Sequence, residues 1–515
     1  MKKKLPYQKQ FTEILLNWIP ELGEYGNEKI RNAARLIRQN YTHPWHRRHR
    51  FDNNLLSFSR KELRNLFKSK DQQIRDLIMD RKMGYQPPTY DKNTGELIRK
   101  GTTAGYQFKP QIYKAVWEFQ DTVIQDNNLL NADTYNPNTQ RKGVASLDIN
   151  GTSAKLGIDG PTCLEVNAQL LKKGFFYVRE LVESRWGGSA RLKPPADVDK
   201  IFQKNGINPD QLDTGELLQI QHQAFQMLLA IRNIKDGVGI LPIQGRETTS
   251  GRITYSGVNP QNCRKVIRHL MLNGMDYWEY DISNAHPTFL HNFILLNNQS
   301  LDLGDDDILR PVILGYYNND PERMRKDMLH RHGISPKQAK GLLLSKAYGA
   351  PMNSYYKCSA RQIIGSKSRT EGVLNDNWIQ SYNRVMKKAQ DLAVDSLEES
   401  ANHQQLINVV GKSRWKSDAS KRQKVAHALQ GYEALYLKTA YDLFAGQVSL
   451  YMHDGIITRG SIDMDEVKKE FRRRSGFRRI KITEEPIQYA QCGVLHIYDT
   501  PQDKFDVIFG RNSAA

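Results

Sequence analysis

Hydrophobic positions along this chain follow two rhythms, and the places where one gives way to the other mark its elements. The stretch Tyr277-Trp278-Glu279-Tyr280-Asp281-Ile282 opens with aromatic residues suited to a strand and brings one carboxylate, Asp281, to the strand's end. Pro287 blocks a simple continuation of the ladder, and Thr288 to Leu296 is apolar enough for a buried helix. Ser335 to Pro351 has the grammar of one helix, with Ser335 as N-cap, Pro336 in the first turn, Gly349 at the stop and Pro351 just beyond. A long helical pattern follows from Arg422 to about Phe444. Val448 to Thr458 then reads as two apolar strands around His453-Asp454-Gly455, a hairpin with Asp454 at its tip.

The half of the chain before these elements is more mixed. Ser59-Arg60-Lys61-Glu62 is a capping-box pattern, with Leu63, Leu66 and Phe67 at helical spacing behind it. A second helix fits Gln72 to Met79, and Tyr90 to Leu97 reads as a turn between short strands. Two helices and a basic hairpin suit a small winged-helix-like module or an ordinary α+β surface domain. Asn136 to Gly160 is rich in Asn, Thr and Gly and is the expected linker. Helical patterns follow at Leu164 to Val182 and Thr214 to Ile234, with a loop from Arg185 to Pro195 between them.

At 515 residues the chain has room for two to four domains. Lys and Arg outnumber Asp and Glu by 75 to 56, a formal charge of +19 that favours a polyanionic partner, nucleic acid first. The cluster with Arg47, Arg48 and Arg50 suits phosphates, and its histidines His43, His46 and His49 fit that patch better than a metal site. Cys163, Cys263, Cys358 and Cys492 form no CxxC pair, so neither a zinc ribbon nor a disulfide framework is expected. The N-terminus is charged without an apolar core, and no run approaches the roughly 18 apolar residues of a membrane span. A soluble intracellular protein is expected, cytoplasmic or nucleoid-associated.

Three further stretches carry candidate chemistry. Thr248 to Asn262 is a Gly-rich loop bearing Arg252 and several amides, suited to sugars, phosphates and minor-groove acceptors. In the helix after Ser335, Lys340, Leu344 and Tyr348 are four apart and share one stripe, with Lys337 beside it. Arg422 and Gln430 lie eight apart near one face of the long helix. The loop also reads as a polar connection and the Lys340 helix as an ordinary amphipathic one, just as Asp281 also reads as a cap of the next helix. Asp305, Asp306 and Asp307 suit a solvated loop or cap better than a metal site.

In their order these stretches resemble the family A, DNA polymerase I-like, enzymes. The loop ending in Asn259-Pro260-Gln261-Asn262 resembles that family's TGRxSSxxPNxQN segment once its Gly251-Arg252 is included. Asp281 matches the motif A aspartate, Lys340 with Tyr348-Gly349 the KxxxxxxxYG of motif B, and Arg422 with Gln430-Gly431 the RxxxNxxxQG helix. His453-Asp454 matches the HD of motif C. The resemblance covers about residues 240 to 495. It departs at Gly455, where the family has Glu; at His286, where motif A has Glu; at Leu344, where motif B has an aromatic; and at Ala426, where the helix has Asn.

The resemblance implies an α+β right-hand polymerase. Its palm would carry a small antiparallel sheet, with fingers at about 297–400, a thumb-like helical region at 151–245, a palm-and-fingers unit at 246–515 and a separate basic domain at 1–150. It implies nucleotidyl transfer to a primer 3′-hydroxyl by two Mg²⁺ ions, with Mn²⁺ as a substitute, held by Asp281, Asp454 and the carbonyl of Ile282. Lys340 and Lys337 would meet the triphosphate, and Tyr348, beside Leu344, the nascent pair. His286 would lie under the sugar, and Arg252, Arg422, Gln430 and His453 would hold the primer terminus. The partners implied are a primer–template, most directly DNA, and nucleoside triphosphates; no membrane partner is expected, and the protein is expected to be a monomer. No DxE pair before residue 240 suggests a proofreading exonuclease. Phage-type single-subunit RNA polymerases share several of these motifs, and a non-catalytic replication protein is the alternative from another class.

Overall fold

The computed structural model describes residues 6–41, 56–57, 60–83, 89–90, 97–99, 105–125, 163–185, 194–255, 257, 259–297, 320–355, 358–401, 404–415 and 419–489. The linker expected at 136–160, the arginine–histidine cluster at 43–50, the turn at 91–96 and the acids Asp305 to Asp307 lie outside them. The described chain is mixed, with many helices and several small antiparallel sheets. None of its helices is long and apolar enough to cross a membrane.

In the N-terminal part, helices Arg60–Phe67 and Asp71–Ile78 lead into strand Met79–Met83, which pairs with Gly105–Phe108. Thr89–Tyr90 and Leu97–Arg99 pair on either side of the expected turn. Helices Pro6–Trp18 and Pro110–Gln125 pack together around Phe11, Leu15, Ile112 and Trp117, all buried.

Two expected helices begin or end as strands. Leu164 belongs to strand Cys163–Asn167, and the helix starts only at Ala168. The helix from Thr214 stops at Ala230, and Arg232–Lys235 turns back as a strand. Both strands flank Val238–Pro242 in one antiparallel sheet. Asp236 and Gly237, with φ of 51° and 84°, make the tight turn that folds it. Apolar residues at both helical and alternating spacing fit either period locally. Cross-strand pairing of Leu164 with Leu241 decides between them.

Elements from residue 277 onward are numbered here in chain order. They are β1 (Tyr277–Ile282), α1 (Ala285–Leu296), α2 (Pro321–His332), α3 (Pro336–Ala347), α4 (Ser359–Ile364), α5 (Lys367–Leu374) and α6 (Asn377–Glu399). Then come β2 (Gln405–Ile407), β3 (Ser413–Trp415), α7 (Lys421–Phe444), β4 (Val448–Tyr451), β5 (Gly455–Arg459), α8 (Met464–Ser475) and β6 (Ile482–Pro486). The central sheet runs β4-β5-β1-β6, all antiparallel.

Strand β1 is interior to that sheet, which is why its aromatic residues are buried: Tyr277 and Tyr280 are essentially inaccessible. Asn284, at φ 52°, takes the left-handed turn that swings the chain from β1 into α1. Ten consecutive residues of α1, Ala285 to Ile294, are buried, as its all-round apolar pattern requires. Pro287 falls in its first turn, where a missing N–H breaks no helix bond. Asn292 ties the helix down by donating to the carbonyl of Arg479 at 2.6 Å and accepting from the N–H groups of Arg478 and Arg479.

Candidate active site

Sheet register brings the two candidate aspartates together. Asp281 lies opposite Gly455 across the β1–β5 pair, and the Ile282 N–H donates to the Asp454 carbonyl at 2.9 Å. The Met452 N–H donates to the Gly455 carbonyl at 2.8 Å and closes the turn that presents His453 and Asp454. Both carboxylates are half-buried. Burial, Glu279 and Asp454 push the Asp281 carboxyl up to about 7. Burial and Glu433 raise Asp454 as well. Two carboxylates held this close resist being charged together.

Beside them sits a third carboxylate that the motif pattern did not single out. Glu433, on α7 and only 1% exposed, lies 2.8 Å from His286 Nε2 through Oε1 and accepts from Arg252 at 3.0 Å through Oε2. The Tyr348 hydroxyl is 3.2 Å from the same His286 nitrogen, and the two rings meet edge to face at 4.6 Å. Residues from the Gly-rich loop, α1, α7 and the end of α3 thus meet at one point. A signal for Glu433 was present in the sequence. It interrupts the buried face made by Val425, Leu429, Tyr436 and Ala440, a place where an acid is rarely found unpaired.

Close packing carries Arg252 to that point. Gly251, at φ +91°, lies against α7, where a Cβ would come within 3.2 Å of Ala434 Cβ and 2.8 Å of Val410. Asn408 donates to the Ser250 carbonyl at 3.0 Å and pins the same turn. The loop's amides, expected to face sugars and minor-groove acceptors, are turned inward. Asn259 donates to the carbonyls of Tyr255 and Gly257, and Gln261 donates to those of Ile253 and Tyr451. Buried backbone carbonyls need donors, and these side chains satisfy them. Through Gln261 and a hydrogen bond from the Tyr451 N–H to the Tyr255 hydroxyl at 3.0 Å, the loop is stitched to β4 just ahead of His453. Burial and the Arg252 charge lower the pKa of His453. Its Nδ1 and the Nε of Arg252 are buried without a hydrogen-bond partner.

Helix α3 forms as its caps dictate, with a reciprocal Ser335–Gln338 box and Pro336 in the first turn. Helix α6 holds its far end, where Tyr382 donates to the Leu343 carbonyl at 3.2 Å and Gln390 to that of Ala347 at 3.1 Å. Tyr348 is its C-cap, Leu344 is half-buried and Lys340 is exposed. Lys337 lines a cleft of about 430 Å³ with Lys204, Asn205, Arg264, Lys265 and Glu485. Arg422 is exposed in the first turn of α7, and Gln430 is half-buried farther along it. The structure therefore gathers Arg252, His286, Tyr348, His453 and Asp454 near Glu433, with Asp281 beside Asp454. Among the described residues, Lys340, Arg422 and Gln430 make no hydrogen bond or ion pair to that group.

Strand alternation puts Glu279 on the same face as Asp281. Its oxygens meet Arg268 at 2.6 Å, His269 at 3.0 Å and Lys265 at 3.1 Å. Burial opposes ionisation here, but the His269 hydrogen bond and the two cations outweigh it and hold Glu279 well below the usual range. With Glu485, His269 and Glu279 have metal-ligand spacing. Lys265 and Arg268 already neutralise that group, which makes it a structural ion network rather than a cation site.

No protein-family model and no curated protein matches this sequence. One solved structure to which the chain is similar is described as the POL domain of Pol1 from M. smegmatis in complex with DNA primer-template and dNTP. The likeness is 14% in sequence, with a TM-score of 0.39, and covers 74% of this chain and 75% of that one.

Proposed function

We propose that this protein is a template-directed nucleotidyltransferase, a DNA polymerase that extends a primer 3′-hydroxyl. The observation that carries the reading is the juxtaposition of Asp281, on β1, and Asp454, in the turn just before the neighbouring β5, joined by the Ile282–Asp454 backbone hydrogen bond of 2.9 Å. Two crowded carboxylates that are hard to ionise together offer hard oxygen donors, which suit Mg²⁺. Asp281 and Asp454 would hold it, with the Ile282 carbonyl as a further ligand. Bound there, Mg²⁺ would supply Lewis-acid activation of a hydroxyl and charge neutralisation on a triphosphate.

The chain's own residues orient the reactants. Lys340, exposed on α3, and Lys337 supply positive charge for the triphosphate without needing a fixed partner. His453, next to Asp454 in the turn, and the partly exposed Arg252 would hold a primer terminus through its sugar and phosphate oxygens. Arg422 and Gln430 would follow the duplex along α7, and His286 with Tyr348 would form a floor under the sugar. Positioning and electrostatics supply most of the rate in such a transfer.

Extension of a labelled primer on DNA and on RNA templates, with dNTPs and NTPs compared in the presence of Mg²⁺, tests this reading. Incorporation of dNTPs on DNA is expected. Preference for NTPs would move the assignment to a single-subunit RNA polymerase, and binding without any incorporation to a non-catalytic replication protein. His286 is bulky, so the expected preference for dNTPs should relax in His286→Gly.

A further inference from the structure

We propose that Glu433 sets the direction of hydrogen bonding beneath the nucleotide, so that the Tyr348 hydroxyl donates its proton to the bound nucleotide. The inference rests on the nucleotidyltransferase reading. It begins from Glu433, which the resemblance to family A assigns no part.

A carboxylate can only accept hydrogen bonds. One Glu433 oxygen accepts from Arg252 at 3.0 Å, and the other lies 2.8 Å from His286 Nε2. That nitrogen must therefore carry a proton. A protonated Nε2 cannot accept from Tyr348, whose hydroxyl is 3.2 Å away. The Tyr348 oxygen is then the acceptor of a hydrogen bond shared with Glu433, and its own O–H has no acceptor among the described residues. Helix α6 holds the preceding turn through Tyr382 and Gln390, so the hydroxyl is presented by a fixed element. Tyr348 is half-buried and close enough to Asp454 and Glu433 for their charges to act on it. A nucleotide oxygen lying beside Asp454 would supply the acceptor that this O–H lacks. Glu433 is a positioning residue in this scheme, acting through His286, and Tyr348 makes the contact.

The arrangement predicts its own reversal. In Glu433→Gln the amide oxygen turns to Arg252, which offers only donors, and the amide NH₂ faces His286. The imidazole then presents an unprotonated Nε2, Tyr348 donates to it, and the nucleotide loses its donor.

The test uses the full chain with ¹⁵N-labelled histidine, the His286 signals being assigned by their loss in His286→Asn. Long-range ¹H–¹⁵N spectra should show Nε2 protonated in the wild type and Nδ1 protonated in Glu433→Gln. In primer extension, Tyr348→Phe and Glu433→Gln should each raise the KM for nucleotide about 10-fold, the scale of one hydrogen bond, and leave kcat within a few-fold. The double variant should be no worse than either single one. An unprotonated Nε2 in the wild type, or losses that multiply in the double variant, would overturn the inference. The spectra of the wild type decide the first point even if a variant folds poorly. Failure of the wild type to extend any primer would instead sink the nucleotidyltransferase reading.

Discussion

The Asp281 carboxylate occupies the space above Gly455: a Cβ built at 455 would lie 1.8 Å from Asp281 Oδ1 and 2.6 Å from the Tyr280 carbonyl oxygen. That contact gives the glycine at 455 a physical reason, because any side chain there would compete with the aspartate for one place. Gly455→Ala should displace Asp281 and shift β1, since the Tyr280 oxygen is backbone and cannot swing aside. Incorporation should fall on the order of 100-fold, the usual result of moving a reacting group by about 1 Å. Stability should fall by about 1–3 kcal/mol, as for other overpacked sites. Gly455→Glu should do no better. Wild-type turnover in either variant would show that Asp281 works from another position.

Asp281→Ala and Asp454→Ala should each abolish nucleotide incorporation and leave primer–template affinity within a few-fold. On the proposed reading, duplex binding would be spread over many basic residues, whereas the two carboxylates would act at one point. Incorporation assays paired with fluorescence anisotropy on a labelled duplex check both halves. Near-normal turnover in either variant would remove that aspartate from the metal-holding pair.

Stability should depend on pH through Asp281. Its folded pKa of about 7 lies above the ordinary 3.8, so between about pH 4 and 7 the folded chain holds a proton that the unfolded chain has released. Stability therefore falls as pH rises through that window and levels off above it. Glu279 acts in the opposite sense. Its lowered pKa contributes stability above its ordinary 4.5 that is lost as pH falls further. Asp281→Asn should raise the melting temperature at pH 7.5, by a stability gain on the order of a few kcal/mol, with little gain at pH 4. Millimolar Mg²⁺ should narrow the difference at pH 7.5 by stabilising the wild type alone. A gap between the two proteins that does not change with pH would contradict the crowded-carboxylate account.

Lys340→Ala should weaken nucleotide use about 10-fold or more, with duplex affinity barely changed, because on the proposed reading one exposed lysine would meet a triphosphate while many cations would meet the duplex. Lys337→Ala should have the smaller effect, since Lys337 shares its cleft with Lys204, Arg264 and Lys265. Separate measurement of nucleotide KM and duplex Kd distinguishes the roles. A collapse of duplex affinity with unchanged KM would make Lys340 a backbone contact.

Local chemistry in the sequence was enough to determine the elements that carry the motifs. The cap at Ser335, the aromatic run of β1 and the apolar strands around His453-Asp454 each act within a few residues, so their helix, strand and hairpin could be read directly. Periodicity was weakest where apolar residues fitted two periods, and there Cys163–Asn167 and Arg232–Lys235 became strands through partners in Val238–Pro242. The amides of Asn259 and Gln261 looked free for ligand in the sequence, and only packing turned them onto backbone carbonyls. Glu433 lies 147 residues from His286 and 181 from Arg252, and it joins them only after α7 packs on α1 and the Gly251 loop closes on Ala434. Sequence spacing carries capping and pairing because those forces are local. The charge network around Asp281 and Asp454 depends on burial and on angstrom-scale approach between distant segments, which tertiary structure alone decides.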